Sequence, residues 1–172
     1  KYPVSWAEYD IFRARTNQEI RYAKFIGNPK KDWRNADRTA RYENWEDARA
    51  YCKWAGQQIN QQWDLPTEAQ WESAAQGSNE NMIFTWGNDF KTLNSNANTW
   101  QGVFPTKNDS KDGFEYSSPV KSYPPNSIGI FDMTGNVWEL TSDLFNVNYY
   151  NQIDLSEPII NPTGAEKSFS PS

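Results

Sequence analysis

The 172 residues carry 22 acidic against 17 basic side chains, a formal charge of -5, and hold no basic run beyond Lys30 and Lys31, so no stripe exists to track phosphates and nucleic acid is excluded as a partner. One Cys and no His exclude a Cys/His zinc site, a Ser-His-Asp triad, a Cys-His pair and an internal disulfide. Hydrophobic residues reach only 37% while aromatics reach 16%, so one domain is expected whose core is filled by large rings, and no apolar stretch approaches the length of a membrane span.

The chain opens at Lys1 without Met or a signal-like segment, as a processed or partial chain would. Ser5-Trp-Ala-Glu8 reads as a capping box before Tyr9 and Phe12, and predicts a short amphipathic helix. A second helix is expected from an Asn44 N-cap, through the acids Glu46 and Asp47, to Gly56 as a stop, with Ala48, Tyr51, Cys52 and Ala55 on one face. A third starts at Thr67 with Gln70 three residues on, turns Trp71, Ala74 and Ala75 inward as a half-buried face, and ends at Gly77. Beyond residue 78 the helical period disappears and turn formers dominate, at Asn88-Asp89, 107–113, Pro124-Pro125-Asn126 and Asn161-Pro162. Short strands are expected at 118–123, 129–133 and 137–141, which makes the class α+β with a high loop content and no linker to split the chain.

Several stretches occur in an order that resembles the formylglycine-generating enzyme (sulfatase-modifying factor) family. They are Asn44-Trp-Glu-Asp-Ala-Arg-Ala-Tyr-Cys-Lys-Trp-Ala-Gly56, Leu65-Pro-Thr-Glu-Ala-Gln-Trp-Glu-Ser-Ala-Ala75, Trp86-Gly-Asn88, Ala97-Asn-Thr-Trp-Gln-Gly102, and Pro124-Pro-Asn-Ser-Ile-Gly129 leading to Asp132-Met-Thr-Gly-Asn-Val-Trp-Glu-Leu-Thr-Ser-Asp143. The resemblance implies a loop-rich fold related to the C-type lectin fold, with the run 97–114 closer to the sulfatase-activating branch. After Asn161-Pro-Thr-Gly164 the family continues into an Arg-Gly-Gly-Ser segment and a cysteine-bearing catalytic stretch, so the domain at 1–172 is expected to be incomplete at its C-terminal side. The two copper-binding, redox-active cysteines of the family have no counterpart here, and Cys52 matches a helix cysteine instead. Catalytic and cofactor-binding residues are therefore expected to be absent, with copper only where a C-terminal cysteine segment exists.

The remaining polar constellations are oxygen-rich and suit calcium better than a transition metal. Asn108-x-Ser110-x-Asp112-Gly113 is similar to the front of an EF-hand loop, but position twelve is Pro119 where a bidentate Glu is required, which rejects that reading. The resemblance implies one structural calcium site from Asn98, Asp112 and the carbonyls of Thr99 and Phe114. It implies a second from Asp132, Glu139 and the carbonyls of Gly135 and Val137. From spacing alone, Asn98 and Asp112 are equally well read as turn residues, and Asp132 and Asn136 as turn caps beside a solvated Glu139.

Cys52 lies on the apolar helix face and reads as a small buried hydrophobe, with a nucleophile beside Lys53 and a disulfide to a missing C-terminal partner as the alternatives. Trp45, Trp54, Trp71, Trp86, Trp100 and Trp138 read as core fillers, and Glu68 with Glu72 as capping or solvated acids. Two functions follow as expectations. One is a calcium-stabilised, noncatalytic binding or scaffold module with a protein partner that covers the apolar surface left by the missing segment. The other is a piece of a copper-dependent oxidase that converts a sulfatase cysteine to formylglycine. An iron oxygenase on this fold would require histidines that the chain lacks. An exported or secretory compartment is the expected location.

Overall fold

Ser5 accepts the Glu8 amide while Glu8 accepts the Ser5 amide, and this reciprocal cap starts α1, Trp6–Arg15. The computed structural model describes residues 1–18, 34–41, 43–78, 81–154 and 156–171; Lys30 and Lys31 lie outside them. One face of α1 buries Trp6, Tyr9 and Phe12, each only 2% exposed. They pack against Val4, Ala40, Tyr51 and Trp54, so the expected ring-filled core is present and joins α1 to α2, Trp45–Gln57. Phe12 stands edge-on to Tyr51 at 5.6 Å and tilted to Trp54 at 5.5 Å. Beneath them Arg13 pairs with Glu43 at 2.6 Å, and the Tyr9 hydroxyl donates to the same carboxylate.

The N-terminal run is held by a return segment, with Trp6 N–H donating to Arg38 O and Ala40 N–H to Val4 O. Asn44 caps α2 as expected, but the helix does not stop at Gly56. Gly56 sits inside the last turn, where a Cβ would meet Gln61 O at 2.6 Å and Trp63 at 2.9 Å. It is small because the chain doubles back against it, not because a helix ends there. Thr67 and Gln70 form the second capping box, at the start of α3, Glu68–Gln76, which ends at Gly77 with Trp71, Ala74 and Ala75 half-buried as predicted.

The second half is loops pinned by amides. A 3-10 turn at Phe90–Thr92 runs into α4, Leu93–Asn96; β1, Gly102–Val103, pairs antiparallel with β2, Lys107–Asn108; and α5 is Tyr149–Gln152. The strands expected at 118–123, 129–133 and 137–141 do not form. Lys121 and Asp132 adopt left-handed backbone, at φ 63° and 60°, which breaks the first two runs. The third finds no ladder partner among the described residues. Asn126 takes the place of a sheet: its Oδ1 accepts the amides of Ile128 and Ile130, and its Nδ2 donates to the carbonyls of Ala74 and Ala75. That one side chain fastens the central loop to the end of α3.

Candidate functional site

The first candidate loop pair is organised by Asp112. Its carboxylate accepts the Thr99 amide at 2.9 Å and the Phe114 amide at 3.0 Å, which ties residues 97–99 to 112–114. The Gln101 side-chain oxygen accepts the Asp112 amide, and Tyr123 donates to the Asp112 carbonyl at 3.2 Å. Asp112 and Asn98 are both buried. Asn98, Thr99, Asp112 and Phe114 are thus brought together, although the protein's own amides already use both Asp112 oxygens.

The second loop, 132–139, is more open to a cation. Asp132 Oδ2 accepts the Lys121 amide at 2.8 Å, while its Oδ1 is buried with no hydrogen-bond partner. Burial pushes the Asp132 pKa up, against the Lys121 amide, which pulls it down. Glu139 is exposed as a residue, but its carboxylate end accepts from Trp71 Nε1 at 2.9 Å. Desolvation of that end raises its pKa, Trp71 lowers it, and the neighbouring charge of Asp132 raises it further. Gly135 O accepts the Val137 amide, whereas the carbonyls of Thr99, Phe114 and Val137 accept no hydrogen bond among the described residues.

Asn136 joins the two loops. Its amide donates to Asn98 O at 2.9 Å, its Oδ1 accepts the Ser118 amide and Asn98 Nδ2, and Asn98 pairs with Gly135 in a parallel bridge. Sequence reasoning read Asn136 as a turn cap and missed this link. The only signal for it was an Asn directly after a Gly, which fits a left-handed residue.

An orphaned buried carboxylate oxygen, unused carbonyls and a second carboxylate nearby fit a hard, oxygen-seeking cation such as calcium. Among the described residues no three His, Cys, Asp or Glu side chains converge, so carbonyl and amide oxygens would have to supply much of either ligand set. Copper held by two thiolates does not fit these residues. Cys52 is the chain's one thiol, half-buried on α2, and desolvation followed by the charge of Asp64 pushes its pKa above the ordinary value. At pH 7.4 its alkylation by iodoacetamide is therefore expected to run slower than that of a free cysteine, and to speed up as pH rises. Mass spectrometry of the time course checks this.

Cys52 lines a cavity of about 380 Å³ together with Tyr9, Tyr51, Leu65, Val137 and Leu140. Two tryptophans expected in the core are outside it: Trp138 is fully exposed at the mouth of this cavity, and Trp100 is exposed beside Phe104. Trp54, partly buried, packs against the core, and Glu68 accepts the Tyr150 hydroxyl at the surface. No helix among the described residues is long and apolar enough to cross a membrane.

Residues 1–168 match the sulfatase-modifying factor enzyme 1-like domain family. The chain is 41% identical over 129 residues to the formylglycine-generating enzyme of Bos taurus, which covers 74% of this chain and 32% of that protein. It is 44% identical over 103 residues to inactive C-alpha-formylglycine-generating enzyme 2 of Bos taurus, covering 59% of this chain and 32% of that one. The chain thus spans about a third of the length of these relatives. PvdO from Pseudomonas aeruginosa has the same fold, with a TM-score of 0.74 over 97% of this chain and 62% of that one at 24% identity. With its capped helices, amide-pinned loops and family match along nearly all its length, the chain belongs to the sulfatase-modifying factor enzyme 1-like domain family.

Proposed function

We propose that these residues form a calcium-stabilised binding or scaffold module that does no chemistry itself and serves a protein partner. The observation that carries this reading is the buried, unpartnered Oδ1 of Asp132, set in a loop that Asn136 locks to the Asp112 loop. A cation on Asp132, Glu139 and the carbonyls of Gly135 and Val137 would offset the cost of desolvating two carboxylates. A second cation on Asn98, Asp112 and the carbonyls of Thr99 and Phe114 would clamp the neighbouring loops. Binding only to the folded chain, calcium would stabilise it by mass action. A loop-rich architecture of this kind is in keeping with a relation to the C-type lectin fold, and a calcium clamp with an exported or secretory location.

The 41% identity to a formylglycine-generating enzyme favours a second reading, in which these residues belong to a copper-dependent oxidase acting on a sulfatase cysteine. That chemistry needs thiols beyond Cys52. Incubating the full natural polypeptide with copper, oxygen and a sulfatase-type cysteine peptide separates the two. The module reading expects the peptide thiol to stay unconverted by mass spectrometry; conversion to the aldehyde would sink it and bring the oxidase forward.

A further inference from the structure

The two candidate loops meet through one asparagine. Asn136 stands between Gly135 and Val137, whose carbonyls belong to the candidate site of Asp132 and Glu139. Its side chain reaches the other loop. Oδ1 accepts the Ser118 amide at 2.9 Å and Asn98 Nδ2 at 3.3 Å, and the Asn136 amide donates to Asn98 O at 2.9 Å. Asn98 Nδ2 also donates to Tyr116 O at 2.7 Å. With both hydrogens of that nitrogen committed, the Asn98 amide is oriented, and its Oδ1 keeps no hydrogen-bond partner among the described residues. That oxygen is the atom a cation beside Asp112 would use. The backbones touch as well: Asn98 pairs with Gly135 in a bridge so close that a Cβ on Gly135 would lie 2.3 Å from Asn98 O.

We propose that Asn136 is a positioning residue that couples the two calcium sites, so that filling the 132–139 loop raises the affinity of the site of Asn98 and Asp112 for a second cation. This inference rests on the reading of both loops as calcium sites and adds how one governs the other. With the carbonyls of Gly135 and Val137 engaged by a cation, the residue between them is held in place. Asn136 then holds the Asn98 amide with its oxygen free, and the fraction of molecules ready to bind at the first site rises. Two divalent ions also repel each other, most strongly where the protein excludes water. The coupling is positive only where the orientation of Asn98 outweighs that repulsion, so the two effects carry opposite signs in one measurement. By linkage, the Asp132 site gains the same factor from a filled first site.

The test is a calcium titration of the full natural polypeptide followed by NMR. The amides of Thr99 and Phe114, both bonded to Asp112, report the first site, and the amide of Val137 reports the second. When Asp132→Asn disables the second site, the calcium concentration at the midpoint for Thr99 and Phe114 is expected to rise at least about fivefold, the lower end of coupling between sites. Asn136→Gly keeps the positive φ of 66° and removes the side-chain links; in that background Asp132→Asn is expected to leave the midpoint unchanged. Asn136→Asp keeps the oxygen that Ser118 and Asn98 bond, and is expected to restore the rise, which tells a lost link from a poorly folded Asn136→Gly. An unchanged or lower midpoint in Asp132→Asn overturns the coupling and leaves two independent calcium sites. A rise that persists in Asn136→Gly, one that Asn136→Asp fails to restore, or movement at Val137 alone overturns it too. No movement of any of these amides with calcium would contradict the calcium reading itself, and the coupling with it.

Discussion

Phe12→Ala is expected to destabilise the fold by about 3–5 kcal/mol, because it removes a fully buried ring and leaves a cavity that the surrounding rings cannot close. Phe12 touches Tyr9, Tyr51 and Trp54, with ring centroids 5.5 to 5.6 Å apart, so it is the joint between α1 and α2. Those neighbours are large and planar, and they are themselves held, Tyr9 by Glu43 and Trp54 by the helix it sits on. Against a total stability of about 5–15 kcal/mol the loss is a large share. Ile11→Ala, one residue away but exposed, is expected to change stability by less than about 0.5 kcal/mol. Urea unfolding of both variants checks the pair; a Phe12→Ala cost below that of Ile11→Ala would mean the core lies elsewhere.

Gly135→Ala is expected to cost about 3 kcal/mol, the second largest single effect. Gly135 has φ 81°, and a Cβ there would lie 2.3 Å from Asn98 O, a backbone atom that cannot swing aside. The two candidate loops would have to separate, and the Asn136 amide bond to Asn98 would stretch or break. Gly113→Ala separates the causes. Gly113 also has positive φ, at 95°, but a Cβ there meets nothing within 4 Å, so only the conformational cost of about 1 kcal/mol is expected. Equal unfolding free energies for the two variants would show that the close approach of the loops contributes nothing.

The three longer helices were legible in the sequence because each announces itself locally, whereas α4 and α5, single turns without a side-chain cap, were not expected beyond residue 78. Ser5 with Glu8 and Thr67 with Gln70 are caps complete within four residues, and Asn44 needs only its own next turn. The strands were not legible, because alternation marks an unbent run but says nothing about whether a partner lies beside it. The run 137–141 has the alternation and lacks a ladder partner among the described residues. Lys121 and Asp132 broke the other two with left-handed backbone that neither residue type announces strongly. At the site, the family resemblance assembled residues that spacing left as turn caps. The fastening side chains Asn136, Gln101 and Asn126 escaped notice because their partners are 11 to 52 residues away. Trp138 was misplaced for a related reason: a tryptophan in a signature reads as core, and whether anything covers it is a property of the surface.

Calcium-dependent melting tests the calcium clamp most directly. After removal of divalent ions with a chelator, the protein is titrated with calcium and its Tm followed, beside Asp132→Asn, which removes one charge at a backbone conformation that asparagine tolerates. At a calcium concentration about a hundredfold above the Kd of the Asp132 site, that site is expected to stabilise the unmodified chain by about 2.7 kcal/mol. Asp132→Asn is expected to lose most of that site's contribution, while in the absence of calcium it melts close to the calcium-free parent. A Tm that calcium does not move, or one that moves equally in Asp132→Asn, would contradict the account.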